Sequence, residues 1–326
     1  MKTLLIISLL MVSLCVRSQQ IPFSTIYVEN PFIFNPAVAG SDNCFKLRLT
    51  SRIQWLGFGD GPFTNILSGY GPHAIRNMGY GGSLTMDKTG PVSMFKLNGG
   101  YAYNIFITSE VRASLGLNLG VIQYTVNTSS LKFPSQYDPN HHSGNGGGNS
   151  LFTLAPVFTE NISRTLPDAG AGVYIYHFDW YLGLSAQQLF PNNLKLLDSN
   201  SKDNNNIKAH FYGYGGYRFT MINNIVIEPT ALFRVVPSLP VQTDICAKVV
   251  YNQQIWGGLS ARNSFGDLGS FNDFSIIFGY IHERSVYVSI AYDIIFGDMR
   301  RTPSYKPIGT IELVIGYNFA DLKKGR

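Results

Sequence analysis

Hydrophobic and polar residues alternate along residues 45–55 of the chain. One face carries Phe45, Leu47, Leu49, Ile53 and Trp55, and the other carries Lys46, Arg48, Thr50, Arg52 and Gln54. Alternation with a period of two predicts a β-strand. Apolar groups on one face and cations on the other fit a membrane barrel wall between lipid and a wet interior. A soluble β-sandwich with its cations in solvent fits this segment equally well.

The same alternation recurs to the end of the chain and predicts an all-β protein. The predicted strands cover residues 45–55, 63–71, 78–87, 95–105, 111–121, 168–177, 180–190, 209–220, 225–235, 241–251, 255–262, 273–281, 286–293 and 310–319. Single-chain outer-membrane barrels of bacteria have even strand numbers. We therefore predict a transmembrane antiparallel β-barrel of about 14 strands over residues 44–320.

The lengths of the connections separate the membrane barrel from the sandwich. Connections after even-numbered strands are short, whereas several after odd-numbered strands are long, at 127–167, 191–208, 263–272 and 294–308. Outer-membrane barrels have short periplasmic turns and longer extracellular loops. A soluble sandwich has no reason to sort its connections in this way. The pattern predicts a multi-pass protein of the cell outer membrane with both termini in the periplasm.

The first residues are typical of a secretory signal peptide. Lys2 precedes an apolar run from Leu4 to Val16, and the small residue Ser18 suits cleavage, so residues 1–18 are expected to be removed. Removal leaves 23 basic and 20 acidic residues, a net charge of +3. This charge is too small to indicate a nucleic-acid partner.

The predicted segment between the signal peptide and the first strand, residues 19–43, contains two Asn-Pro steps. Proline disfavours both helix and sheet pairing locally, yet the segment is too apolar to lie in water. We expect residues 20–42 to pack into the periplasmic mouth as a plug or to form a docking face; an ordered strap that merely completes the barrel is the alternative. The residues proposed for this role are Tyr27, Asn30, Pro31, Phe32, Phe34, Asn35 and Pro36.

Charged residues on the predicted inner face leave two interpretations open. They are Lys46, Arg48, Arg52, Lys96, Arg112, Arg218, Glu228, Arg234, Asp244, Lys248, Asp293 and Glu312. If these groups pair across the lumen, the barrel is filled and does not conduct. If they do not pair, the barrel is a pore that favours anions.

Few residues suggest chemistry. The adjacent pair His141-His142 lies in a polar loop without a flanking Cys or acidic cluster, so we expect no metal site there. His210, His282, Glu283 and Asp293 have no spacing that sets a base beside a nucleophile. The sequence therefore predicts neither an enzyme nor a cofactor.

Several blocks of sequence resemble the PorP/SprF family of type IX secretion system membrane proteins. The resemblance extends over residues 19–319. The matching blocks are residues 21–24, 30–40, 52–58, 87–91, 180–185, 227–229, 255–259, 292–294 and 312–319. The chain departs from the family pattern in an insertion at about 140–166 and in a six-residue tail, 321–326.

The resemblance implies an outer-membrane β-barrel that works without chemistry. It implies association with the secretion and gliding-motility machinery, and docking of a secreted, adhesin-like cargo or of periplasmic components. The expected partners are outer-membrane lipid, type IX secretion components and a cargo protein, with no small-molecule substrate. An outer-membrane diffusion channel or ligand-uptake barrel is the alternative.

Overall fold

The fold is known from a computed structural model, which describes residues 24–57, 61–73, 77–127, 161–190, 207–221, 224–237, 239–265, 271–295 and 308–319. The strands are β1 (Lys46–Ile53), β2 (Phe63–Pro72), β3 (Met78–Thr89), β4 (Val92–Phe106), β5 (Arg112–Val126), β6 (Ile162–Tyr176), β7 (Trp180–Gln187), β8 (His210–Tyr217), β9 (Phe219–Thr220), β10 (Ile225–Val235), β11 (Val241–Tyr251), β12 (Ile255–Phe265), β13 (Phe271–His282), β14 (Val286–Ile295) and β15 (Thr310–Asn318). In the described residues before β1 there are three 3-10 turns, at Tyr27–Glu29, Pro31–Ile33 and Pro36–Val38.

The strands form one closed antiparallel barrel. Strands that follow one another in the chain pair with each other, except β8 and β9, and β1 pairs with β15 to close the circle. β8 and β9 both pair with β10 and are two parts of one strand, interrupted at Arg218. The 15 strand segments of the described chain therefore occupy 14 positions in the wall, as predicted.

The two faces of the wall have opposite chemistry. On the outer face, apolar side chains such as Leu117 (64% exposed) and Leu119 (68% exposed) have no protein covering them. On the inner face, charged side chains such as Arg52 (3% exposed) are buried. This inversion is what a wall between lipid and an enclosed interior requires, and it confirms the predicted fold class. Among the described residues, no helix is long and apolar enough to span a membrane.

The structure corrects the start of one strand. β6 begins at Ile162 rather than at 168, because residues 162–167 pair in register with the end of β5. Ser163, Arg164, Thr165 and Pro167 obscure the alternation there. The last residues of the predicted insertion, 162–166, thus belong to the wall. The rest of that insertion, the signal peptide and the tail lie largely or wholly outside the described residues.

The connections divide the barrel into two ends. We call the end with the turns β2–β3, β4–β5, β6–β7, β9–β10, β11–β12 and β13–β14 the short-turn end, and the opposite end the long-loop end. β1 starts and β15 finishes at the short-turn end, where Phe45 and Phe319 meet through a main-chain hydrogen bond of 2.8 Å.

Candidate functional site: the lumen and its N-terminal segment

Residues 24–40, which we call the lumen segment, run along the inside of the barrel. Ser24 contacts Glu312, which lies near the long-loop end of β15. Gly40 lies against Gly79, at the short-turn end of β3. The segment therefore extends between these two levels of the wall. The expectation was a plug in the periplasmic mouth or a docking face for residues 20–42. The described residues of the segment reach beyond that mouth, since their partners include wall residues near the long-loop end.

Proline and asparagine set the local shape of the segment. Pro31 and Pro36 each occupy the start of a 3-10 turn. A main-chain N–H at this position has no partner within the turn, so its absence in proline costs no hydrogen bond. The Asn35 side chain accepts a hydrogen bond from the Ala37 N–H (2.9 Å). Its amide also donates to the carbonyl of Val173 in β6 (3.0 Å). The second Asn-Pro step thus joins the segment to the wall.

The apolar side chains of the segment are buried inside the barrel. Tyr27, Phe32 and Phe34 are 3%, 6% and 4% exposed. Phe32 stacks on Tyr70 of β2, with ring centroids 4.9 Å apart. Phe34 packs against Tyr212 of β8 at 5.2 Å. Burial of such rings is a large favourable term in the free energy of folding, so the wall and the segment form a common core.

Small residues on one side of the wall make room for the segment. Gly79, Ala102, Gly116 and Gly172 lie in register across β3, β4, β5 and β6. A Cβ atom added at Gly116 would overlap the main-chain nitrogen of Ala37, and one added at Gly79 would overlap the main chain next to it in the segment. We call this row the small-residue side. Side chains larger than those present would exclude the segment.

Wall side chains also bind the main chain of the segment. The Phe34 carbonyl accepts hydrogen bonds from Ser185 Oγ (2.8 Å) and Gln187 Nε2 (2.9 Å). The Ala39 carbonyl accepts one from Asn104 Nδ2 (3.4 Å). These groups satisfy main-chain carbonyls that would otherwise be buried without partners.

An ion-pair network on β1, β14 and β15 holds the start of the segment. Arg52 of β1 contacts Asp293 of β14 and Glu312 of β15, each at 2.7 Å. Thr25 donates its N–H to Glu312 Oε2 (2.7 Å) and its hydroxyl to Asp293 Oδ2 (3.0 Å). The same hydroxyl accepts from Arg52 Nη1 (2.8 Å). We call Arg52, Asp293 and Glu312 the charged side; they connect β1 to β14 and β15 across the closing seam.

A second network joins the segment to β10 and β11. Lys248 Nζ lies 2.9 Å from Glu29 Oε1 and 2.9 Å from Glu228 Oε2. Arg262 of β12 lies 2.6 Å from Asp244 and 3.3 Å from Asp273. Glu29 and Arg262 were not among the predicted lumen charges. Arg262 could have been found, because it follows the inward alternation of Trp256, Gly258 and Ser260.

Tyr27 links the segment to these strands through its hydroxyl. The hydroxyl lies 2.8 Å from Thr230 Oγ1 and donates to the Asp244 carbonyl at 3.5 Å. Burial raises the pKa of Tyr27 far above its ordinary value. The neutral hydroxyl group thus joins the segment to β10 and β11.

The other predicted lumen cations fall into two groups. Three lie inside the barrel: Arg48 over the ring of Tyr287 (4.9 Å), Arg234 over the ring of Tyr212 (5.5 Å), and Lys96 beside Asp168 (2.8 Å). Three lie toward the rim of the short-turn end: Lys46 beside Asp42 (2.5 Å), Arg112 over the ring of Phe106 (4.6 Å), and Arg218 beside Glu228 (3.5 Å). Arg218 is 45% exposed at its side chain, since it lies at the break between β8 and β9.

The residues considered for chemistry do not converge. His282 ends β13 and Glu283 begins the turn to β14, both at the short-turn end. His210 and Asp293 lie near the long-loop end, and Asp293 is engaged by Arg52. Across the described ranges, no three His, Cys, Asp or Glu side chains are grouped so as to hold a metal ion. His141 and His142 lie outside these ranges.

The closed antiparallel wall, apolar outside and charged inside, defines an outer-membrane β-barrel protein. Residues 16–317 match the family described as type IX secretion system membrane protein PorP/SprF. The chain belongs to this family. No curated protein matches the chain.

Solved structures share the fold. The toluene transporter TodX of P. putida has a TM-score of 0.51 and 10% identity, over 89% of this chain and 94% of the transporter. The Ralstonia pickettii toluene transporter TbuX has a TM-score of 0.50 and 10% identity, over 91% of this chain and 93% of the transporter. At this level of identity the similarity concerns the architecture alone.

Proposed function

We propose that the chain is a non-enzymatic, plugged barrel of the type IX secretion and gliding-motility machinery that docks machinery or an adhesin-like cargo at the outer membrane. The short-turn end faces the periplasm, since short turns are typical of that side. The first described residue, Ser24, lies deep in the lumen and not at the periplasmic mouth.

The lumen segment is the observation that supports a plugged barrel. It brings Tyr27, Phe32 and Phe34 into the interior, and its Glu29 pairs with Lys248. The predicted alternative of an anion-favouring pore requires free cations in the lumen. Instead, Arg52 and Lys248 have carboxylate partners at 2.7–2.9 Å. A barrel filled in this way is suited to binding proteins at its ends.

The turns at the short-turn end offer a surface for a periplasmic component. Phe178, in the turn between β6 and β7, is 89% exposed. Arg218 supports this turn by donating its N–H to the Asp179 carbonyl (2.6 Å) and its guanidinium to the Phe178 carbonyl (3.4 Å). A large ring that no other protein group covers, in a turn supported by such bonds, is typical of a contact residue.

Co-purification in mild detergent tests this function. We expect the tagged chain to retain type IX machinery proteins or a secreted cargo, and Phe178→Ser to retain clearly less of a periplasmic component. Gln253→Ser, in the turn between β11 and β12, is the matched control and should retain the wild-type amount. Recovery of the folded barrel alone, from membranes in which the machinery is present, would contradict docking.

A further inference from the structure

The wall binds the lumen segment in the way that a receptor binds a peptide. Glu312, Ser185, Gln187 and Asn104 all form hydrogen bonds with main-chain groups of the segment. Binding through main-chain groups, with separate pockets for side chains, is how peptide-recognition sites hold extended ligands.

Side-chain pockets give this site a defined preference. Phe32 stacks on Tyr70 and Phe34 packs against Tyr212 at a tilt of 47°. The Asn35 side chain fits over Gly172, where an added Cβ atom would overlap its Oδ1. Pro36 and Ala37 lie over Gly116, where an added Cβ atom would overlap their main chain. These contacts fit an aromatic residue followed by Asn-Pro and a small residue.

The hydrogen bonds between the strands of the wall are complete without the segment. In the described chain the sheet closes through β1 and β15, and the segment contributes 3-10 turns but no strand. Its covalent link to β1 passes through Asp42 and Asn43, which are both exposed. The segment resembles a ligand that is tethered at one end.

We propose that the lumen is a peptide-binding site, occupied by the chain's own residues 24–40, which exchanges this occupant for a peptide with the pattern aromatic-Asn-Pro-small. The proposal goes beyond docking at the barrel ends, because it assigns the inner wall a ligand class. It is independent of which machinery component the barrel docks, so purified protein is sufficient to test it.

The test keeps the full chain until the barrel has folded. A protease recognition sequence is inserted between Asp42 and Asn43, and the folded barrel is cleaved in detergent. A fluorescent synthetic peptide of residues 24–41 is then added, and its binding is followed by fluorescence anisotropy. We expect saturable binding to the cleaved barrel, with release of the cleaved segment. Binding to the uncleaved barrel should be weaker, because its tethered segment competes at a high effective concentration.

Two changes define the specificity. A peptide carrying Asn35→Ala, and a cleaved barrel carrying Ser185→Ala with Gln187→Ala, should each show binding about tenfold weaker, because hydrogen bonds to the segment are lost. A peptide of the same composition in scrambled order should not bind. Failure of the cleaved segment to exchange, or equal binding of the scrambled peptide, would overturn the proposal.

Discussion

The two sides of the lumen hold the same segment in opposite ways. The small-residue side accommodates main chain by lacking side-chain atoms, with Gly79, Gly116 and Gly172 in register. The charged side holds Thr25 through a network of ionised groups, Arg52, Asp293 and Glu312. The small-residue side should therefore lose its hold on the segment when atoms are added, and the charged side when atoms are removed.

Removing the central cation of the charged side should have the largest effect. Arg52→Leu leaves Asp293 and Glu312 buried beside each other without their shared partner. Breaking a buried ion pair from one side costs about 3–5 kcal/mol of unfolding free energy. Denaturant titration of the barrel refolded in lipid vesicles measures this loss.

Lys46→Leu is the matched control for Arg52→Leu. Its ion pair with Asp42 is partly exposed, with side-chain exposures of 23% and 53%. Exposed pairs contribute only about 0–1 kcal/mol. Equal losses for the two variants would contradict the assignment of the charged side as a buried network.

Adding one methyl group on the small-residue side should have the next largest effect. In Gly116→Ala the new Cβ overlaps the main chain of Ala37, and overpacking of this kind costs about 1–3 kcal/mol. The segment should shift, and hydrogen exchange of residues 24–40 should become faster. Hydrogen-exchange mass spectrometry of the purified barrel measures the protection of these main-chain amides and its loss.

Gly99→Ala makes the same chemical change on the lipid-facing side of the wall. A Cβ at Gly99 meets nothing within 4 Å, so stability should change by less than about 0.5 kcal/mol. If Gly99→Ala and Gly116→Ala accelerate hydrogen exchange of residues 24–40 equally, the small-residue side does not hold the segment in place.

Removing one donor to the segment should have the smallest effect of the three. Ser185→Ala deletes one of two hydrogen bonds to the Phe34 carbonyl, while Gln187 keeps the other. The expected loss is about 1 kcal/mol, measured by the same denaturant titration. Ser163→Ala, at an exposed serine on β6, is the control and should be close to neutral.

The wall could be predicted from the sequence because its alternation is local. In β1 each residue faces lipid or lumen according to its parity, so Leu49 and Arg52 fall on the correct faces without tertiary information. Where polar residues and proline interrupt the alternation, as at 162–167, the boundary was missed.

The path of the segment could not be predicted from local pattern. Its course depends on partners more than 200 positions away, such as Glu312 for Thr25 and Lys248 for Glu29. The two Asn-Pro steps indicated an ordered segment but not how far it reaches into the lumen. The signal that existed was the set of inward glycines on β3, β5 and β6, which mark where another main chain approaches.

The ionic current through single barrels in a planar lipid bilayer shows whether residues 24–40 fill the lumen. We expect no stable open channel for the intact chain and a persistent current once the segment has been cleaved and washed out. A steady, ion-selective conductance of the intact chain would contradict it.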